Sequence, residues 1–160
     1  MSFLDKIVSR PVLLERAAAW RAEGESTVLA NGCFDVLHVG HIRYLQAAAA
    51  LAPHMVVAVN SDSSTRQLKG HGRPILPERA RAELVAAVRG VTLVTLFDEL
   101  TVELLLRVLR PDFHAKGTDY TPASVPEAAT ASELHIAVRI VGDPKNHSTQ
   151  SLLQRVQSRG

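Results

Sequence analysis

The chain has 160 residues, of which 46% are hydrophobic and 21% are charged, as is typical of a globular domain and not of a disordered chain. Its 18 lysines and arginines nearly balance 16 aspartates and glutamates, and only 4% of the residues are aromatic, so we expect no nucleic-acid partner. A single cysteine excludes an internal disulfide. We also expect no membrane association, because no apolar stretch approaches the roughly 20 residues that span a bilayer. The first residues do not resemble a secretory signal, so we expect a cytoplasmic protein.

The first 24 residues favour a helical segment. Residues 5–23 place apolar side chains at helical spacing, which predicts one amphipathic helix or two short helices broken at Pro11. We expect segment 1–24 to pack on the rest of the domain. An interface between copies of the chain is the alternative use of its apolar face.

Strands and helices alternate after this segment. Residues 27–30 form a short apolar strand, which a glycine-containing loop and a helix over about 40–51 follow. The pattern continues with strands at 55–59, 91–96, 112–115 and 136–141, helices at 78–88, 101–109, 124–134 and 148–157, and a mobile polar loop at 63–76.

This alternation predicts a Rossmann-like α/β fold, with a doubly wound five-stranded parallel sheet in a single domain over residues 1–160. In such folds, ligands bind at the carboxyl ends of the strands. Polar clusters directly follow four of the predicted strands, at 31–41, 60–73, 116–120 and 143–150. These clusters therefore predict where a binding site lies.

The loop at 31–41 has the composition of a phosphate-binding loop. Gly32 and Gly40 allow close approach of the backbone to a phosphate, and the following helix offers its N-terminal N–H groups to an anion. His38 and His41 are three residues apart and can face one ligand across the first helical turn. The alternatives are that the two histidines are incidental, that they bind zinc with further ligands, and that Asp35 only caps the turn.

The same loop carries a family resemblance. Its residues, Asn-Gly-Cys-Phe-Asp-Val-Leu-His-Val-Gly-His, resemble the signature of the cytidylyltransferase-like superfamily of nucleotidyltransferases. Residues 59–62, 69–70, 72–75 and 116–120 resemble the adenylyltransferase domain of ADP-heptose synthases, as does the N-terminal stretch from Lys6 to Ala22. The resemblance covers essentially the whole chain.

The resemblance implies transfer of AMP from ATP to D-glycero-D-manno-heptose 1-phosphate, with release of pyrophosphate and with Mg²⁺ bound to the polyphosphate. The product, ADP-heptose, would serve lipopolysaccharide or other surface-glycan biosynthesis. It also implies a homodimer or a larger homo-oligomer.

The resemblance also assigns residue roles. His38 and His41 would hold the nucleotide phosphates and stabilise the α-phosphoryl group, and Lys69 would act with Arg73 on substrate or pyrophosphate oxygens. Solvated loop charges are the alternative for Lys69 and Arg73. The remaining residues predicted to bind the nucleotide or the acceptor are Asn31, Gly32, Cys33, Phe34, Asp35, Gly40, Asn60, Asp62, Lys116, Gly117, Asp119, Tyr120, His147, Ser148 and Thr149. We expect no protein metal site.

Some residues depart from the family pattern or stay outside the predicted site. Thr118 replaces a second glycine, which raises the question of the backbone torsions there, and Gln150 replaces a hydroxyl residue. Arg79 and Arg81 are interpreted as surface charges on a helix. The four other histidines are left out of the catalytic set: His54, His71, His114 and His135.

Two other functions stay open at the level of the sequence. One is a CTP-dependent cytidylyltransferase that acts on glycerol 3-phosphate or a related polyol phosphate, since it shares the histidine motif. The other is a non-catalytic nucleotide-binding protein with the same fold.

Overall fold

The computed structural model describes residues 2–144 and 149–160. Within these ranges a 3₁₀ helix, Phe3–Lys6, precedes the alternating elements. The strands are β1 (Thr27–Gly32), β2 (His54–Asn60), β3 (Leu93–Phe97), β4 (Phe113–Lys116) and β5 (Ala137–Ile140). The helices are α1 (Arg10–Ala22), α2 (Val39–Ala49), α3 (Asp62–Lys69), α4 (Glu78–Ala86), α5 (Glu103–Leu109), α6 (Ala128–Glu133) and α7 (Thr149–Ser158).

The strands form one parallel sheet in the order β3-β2-β1-β4-β5. This confirms the predicted Rossmann-like five-stranded parallel sheet. The strand order reverses at β1, which lies between β2 and β4, so the ends of these three strands meet at one edge. No helix within the described residues is long and apolar enough to cross a membrane.

The two faces of the sheet are both covered by helices. Val28 and Ala30 of β1 pack with α2 and α4 on one face, whereas Leu29 packs with α1, α5 and α6 on the other. Because successive strand residues point to opposite faces, a strand covered on both sides is apolar throughout. The continuous apolar runs in β1 and β2 therefore have their origin in this double burial.

The N-terminal segment forms two helices, and the break comes before Pro11. Pro11 lies in the first turn of α1, where its missing N–H leaves no hydrogen bond unmade. Leu13 and Ala17 of α1 are buried against the sheet, so this helix packs on its own domain.

The prediction of a mobile loop at 63–76 was wrong over its first half. Residues 62–69 form α3, which Ser61 caps by accepting a hydrogen bond from the N–H of Ser64. The buried face of α3 consists of Ser64 and Thr65, both 0% exposed. This face carries hydroxyls instead of apolar side chains, so hydrophobic periodicity does not reveal the helix. The other predicted elements are present with their bounds shifted by a few residues.

Candidate functional site

A cleft of about 800 Å³ opens at the carboxyl ends of β1, β2 and β4. Most of the residues predicted to form the site line it: Asn31, Gly32, Cys33, Phe34, Asp35, His38, Gly40, His41, Asn60, Lys69, Arg73, Lys116, Gly117, Asp119 and Tyr120. Asp62 does not. His147 and Ser148 lie outside the described residues, and Thr149 begins α7.

His38 and His41 are held by the backbone at the start of α2. Nδ1 of His38 accepts from the N–H of Gly40 at 3.1 Å, and Nδ1 of His41 accepts from the N–H of His38 at 3.2 Å. The two rings stack with centroids 3.8 Å apart. Since each Nδ1 is an acceptor, the proton of each neutral ring lies on Nε2. The arrangement therefore provides two adjacent N–H donors at a helix N-terminus, which suits a phosphoryl group.

Asp35 organises the loop that follows α3. Its side chain is 1% exposed, and its carboxylate accepts from Nε of Arg73 at 2.9 Å and from the N–H groups of Ile75 at 2.7 Å and Leu76 at 3.0 Å. Burial raises the pKa of this carboxyl, but the N–H groups of Leu76 and Ile75 together with Arg73 outweigh it and hold the pKa below its usual value. The carboxylate of Asp35 therefore binds its own chain while the residue lines the cleft.

Arg81 is buried, so its interpretation as a surface charge was wrong. It is 0% exposed, and its guanidinium donates to the carbonyl oxygens of Cys33 and Asn60, both at 2.7 Å, and to that of Leu76 at 2.9 Å. A further nitrogen donates to Oδ1 of Asp62 at 2.9 Å. Arg81 thus joins the ends of β1 and β2, and the carboxylate of Asp62 supports Arg81 from outside the cleft.

The helical period of α4 predicts the burial of Arg81. It lies one turn before Val85 and next to Ala82, both 0% exposed, so it belongs to the buried face of α4. Arg79, by contrast, is exposed and pairs with Glu83 one turn later, as expected of a surface charge.

Lys116 ends β4 and is 7% exposed. Its Nζ lies 4.5 Å from the centroid of the Tyr120 ring. Burial lowers the pKa of Lys116, and the carboxylates of Glu127 and Asp119 oppose that shift. Within the described residues, no carboxylate forms an ion pair with this ammonium group. A buried cation in a cleft is suited to an anionic ligand.

Thr118 fits the loop after β4 without left-handed backbone. Positive φ at non-glycine residues occurs in the described chain at Phe34, Val36, Arg110 and His135, and not at Thr118. Its hydroxyl donates to the carbonyl oxygen of Asp143 at 2.8 Å, which ties this loop to the segment after β5. The departure from glycine at this position is therefore compatible with the fold.

Side-chain amides at the strand ends are fixed by neighbours. Sγ of Cys33 donates to Oδ1 of Asn60 at 3.7 Å, and Nδ2 of Asn60 donates to Ser64 at 3.2 Å. Nε2 of His114 and Oδ1 of Asn31 are 2.8 Å apart, and because Oδ1 only accepts, the proton lies on Nε2. Burial, with a smaller contribution from Lys116, lowers the pKa of His114 to about 3. His114 is thus a neutral support for Asn31 beneath the cleft.

Sequence reasoning missed one part of the cleft wall. Leu100, Thr101, Pro126 and Glu127 line it, although none belongs to a recognised motif. These residues precede α5 and α6, so they approach the cleft from the sheet face opposite α2. Among the described residues, no group of three or more His, Cys, Asp or Glu side chains could hold a metal ion.

Comparisons with known proteins show the family of the chain. Residues 29–154 match the family model described as cytidylyltransferase-like. Two similar curated relatives are both named "Bifunctional protein HldE": that of Koribacter versatilis is 43% identical over 150 residues, and that of a Bradyrhizobium species is 42% identical over 146. The matches cover 94% and 91% of this chain but 31% and 30% of the relatives, so the chain spans about a third of their length.

A solved structure shares the fold. The lipopolysaccharide core biosynthesis protein from Thermoplasma volcanium superposes with a TM-score of 0.63 at 31% identity, over 76% of this chain and 100% of that protein. The region matched by the family model includes the histidine loop, the buried Lys116 and Glu127.

Proposed function

Since the chain belongs to the cytidylyltransferase-like family, we propose that it is a nucleotidyltransferase that transfers AMP from ATP to D-glycero-D-manno-heptose 1-phosphate. The products are ADP-heptose and pyrophosphate. The observation that carries the reaction class is the pair of Nε2 donors that the backbone presents at the start of α2, in His38 and His41. The names of the relatives, which include lipopolysaccharide core biosynthesis, support the sugar phosphate as acceptor.

The chemistry requires charge stabilisation more than proton transfer. An oxygen of the acceptor phosphate attacks the α-phosphorus of ATP, and the bond from that phosphorus to the pyrophosphate oxygen breaks. The nucleophile is already anionic, so no strong general base is needed. His38 and His41 donate hydrogen bonds to phosphate oxygens as negative charge develops, which lowers the barrier of the chemical step.

Lysine and arginine side chains line the rest of the cleft. Lys69 lies in the last turn of α3 and is exposed, whereas Arg73 is held by Asp35 and Lys116 is buried. We assign them to the phosphates of the nucleotide and the acceptor. Mg²⁺ would neutralise polyphosphate charge. Since the described residues offer no cluster of ligands, it would be carried mainly by ATP oxygens and water.

A pyrophosphate-release panel tests this function. ATP, CTP, GTP and UTP are each combined with Mg²⁺ and with both anomers of heptose 1-phosphate, mannose 1-phosphate or glycerol 3-phosphate. We expect the highest kcat/KM for ATP with one heptose 1-phosphate anomer. Absence of release with either anomer would overturn the heptose assignment, and preference for CTP with glycerol 3-phosphate would establish the cytidylyltransferase alternative.

A further inference from the structure

Glu127 is a buried residue, and only one of its two carboxylate oxygens accepts a hydrogen bond within the described residues. It is 4% exposed, and its Oε1 accepts from the N–H of Val102 at 3.3 Å. Its Oε2 has no hydrogen-bond donor within the described part of the chain. A buried carboxylate oxygen without a hydrogen bond lowers the stability of the fold, because its desolvation is not compensated. Such a group in a native fold therefore indicates a hydrogen-bond donor on a bound ligand.

Lys116 lines the same cleft and carries the complementary charge. It too is buried, and its ammonium rests on the Tyr120 ring instead of pairing with a carboxylate among the described residues. Glu127 lines this cleft with Lys116, and its carboxylate opposes the lowering of the lysine pKa that burial causes. The cleft is therefore lined by an ammonium and a carboxylate that have no ion-pair partner among the described residues.

A ligand that satisfies both groups must carry an anion and a hydroxyl. A polyol or sugar phosphate has this chemistry, with phosphate oxygens for the ammonium and hydroxyl donors for the carboxylate. Thr101 lines the same wall and is exposed to the cleft. The ribose of ATP also has hydroxyls, but Glu127 approaches from the sheet face opposite the histidines of α2. The attacking group enters opposite the departing pyrophosphate, so that face suits the acceptor.

We propose that Glu127 is a specificity-determining residue of the acceptor subsite, where its carboxylate accepts a hydrogen bond from a hydroxyl of the polyol phosphate whose phosphate contacts Lys116. The inference rests on the proposed function, because it assigns the acceptor of that reaction to this wall. Glu127 lines the cleft although its Oε2 is buried, so the contact requires the side chain to rotate on binding.

The variant Glu127→Gln tests the subsite. Glutamine keeps the volume and an oxygen for the N–H of Val102, but it removes the charge. In pyrophosphate release at saturating ATP, we expect the KM for the acceptor to rise about 10–100-fold, as for loss of a charged hydrogen-bond partner, and the KM for ATP to stay within about twofold. An unchanged acceptor KM would overturn the proposal. So would an equal rise in both KM values, which would place the carboxylate on the nucleotide.

Two further variants guard against a structural effect. Glu133→Gln makes the same change at an exposed glutamate that pairs with Arg107 outside the cleft, and it should leave both KM values unchanged. Glu127→Asp keeps the charge but withdraws it by one methylene, so it should also raise the acceptor KM selectively. If a thermal melt shows that Glu127→Gln does not fold, the KM of Glu127→Asp for the acceptor is the deciding measurement. A value equal to that of the wild type overturns the proposal.

Failure of the subsite is distinguishable from failure of the function. If the wild type releases no pyrophosphate with any heptose 1-phosphate, the heptose function fails, and the subsite is then tested by calorimetric titration with mannose 1-phosphate and glycerol 3-phosphate. Binding by the wild type that weakens in Glu127→Gln supports the subsite. Absence of binding, or equal binding by both proteins, overturns it.

Discussion

Nε of Arg73 donates to Oδ2 of Asp35 across 2.9 Å, and the carboxylate of this pair is almost fully buried. The pair joins the turn after β1 to the loop that precedes α4, and the N–H groups of Ile75 and Leu76 complete the shell of the carboxylate. The turn itself is demanding, since Phe34 and Val36 both adopt positive φ, at 49° and 57°. Asp35 therefore holds two cleft-forming loops together.

Replacing Asp35 by Asn should destabilise the fold. An amide cannot accept from three donors as a carboxylate does, so we expect a loss of about 2–4 kcal/mol in the free energy of unfolding at neutral pH. Urea denaturation measures it, with exposed Asp98→Asn as the control. The folded-state pKa of Asp35 is below its unfolded value, so its contribution is complete above about pH 4 and is lost as the pH falls through the folded pKa. Equal stability of wild type and Asp35→Asn would contradict this role.

Replacing Arg81 by Lys should be far more damaging than the same change at Arg79, two residues earlier on α4. Lysine cannot reproduce a planar fork that reaches two strand ends and Asp62 at once. We expect about 3–5 kcal/mol of lost stability at Arg81 and below about 0.5 kcal/mol at Arg79, whose ion pair is exposed. Thermal and urea unfolding check both. Similar midpoints for the two variants would show that the buried guanidinium is not a structural clamp.

His41→Ala tests the catalytic arrangement. Loss of one donor to the developing charge should lower kcat by about 10²–10³-fold. The control is His71→Ala, an exposed histidine that does not line the cleft, which should keep wild-type kcat. Circular dichroism verifies that α2 survives the loss of the capping bond to His38. A variant at position 41 that turns over as fast as the wild type would contradict the catalytic role of His41.

The parts of this molecule that the sequence predicts are those whose pattern lies within a few consecutive residues. β1 and β2 are apolar throughout because both faces are covered, and the histidine loop is contiguous, so each is visible within a few residues. The order of strands and helices then places the polar clusters at one edge of the sheet.

The features that sequence reasoning missed depend on long-range partners. Arg81 can be buried because its guanidinium donates hydrogen bonds to the carbonyl oxygens of Cys33 and Asn60, which are 48 and 21 residues away in the sequence. Glu127 joins the cleft only because α5 and α6 converge on the edge of the sheet, and its anchor is the N–H of Val102, 25 residues earlier. The helical period of α4 places Arg81 on the buried face, but no periodicity or motif identifies the partners of Arg81 or Glu127.

His114 should make the stability of the fold depend on pH. Its folded pKa of about 3 is far below the value of about 6.5 expected for the unfolded chain. Between these values the unfolded state binds a proton that the folded state does not, so stability is present above pH 6.5 and falls as the pH is lowered. From about pH 7.5 to about pH 5, the titration of this single residue should lower the free energy of unfolding by about 2 kcal/mol.

His114→Gln keeps a donor for Asn31 but does not titrate. Its free energy of unfolding should therefore fall by about 2 kcal/mol less than that of the wild type over the same interval. Urea unfolding of both proteins at the two pH values measures the difference, with exposed His71→Gln expected to follow the wild type. Parallel losses in wild type and His114→Gln would mean that this imidazole is not kept neutral by burial.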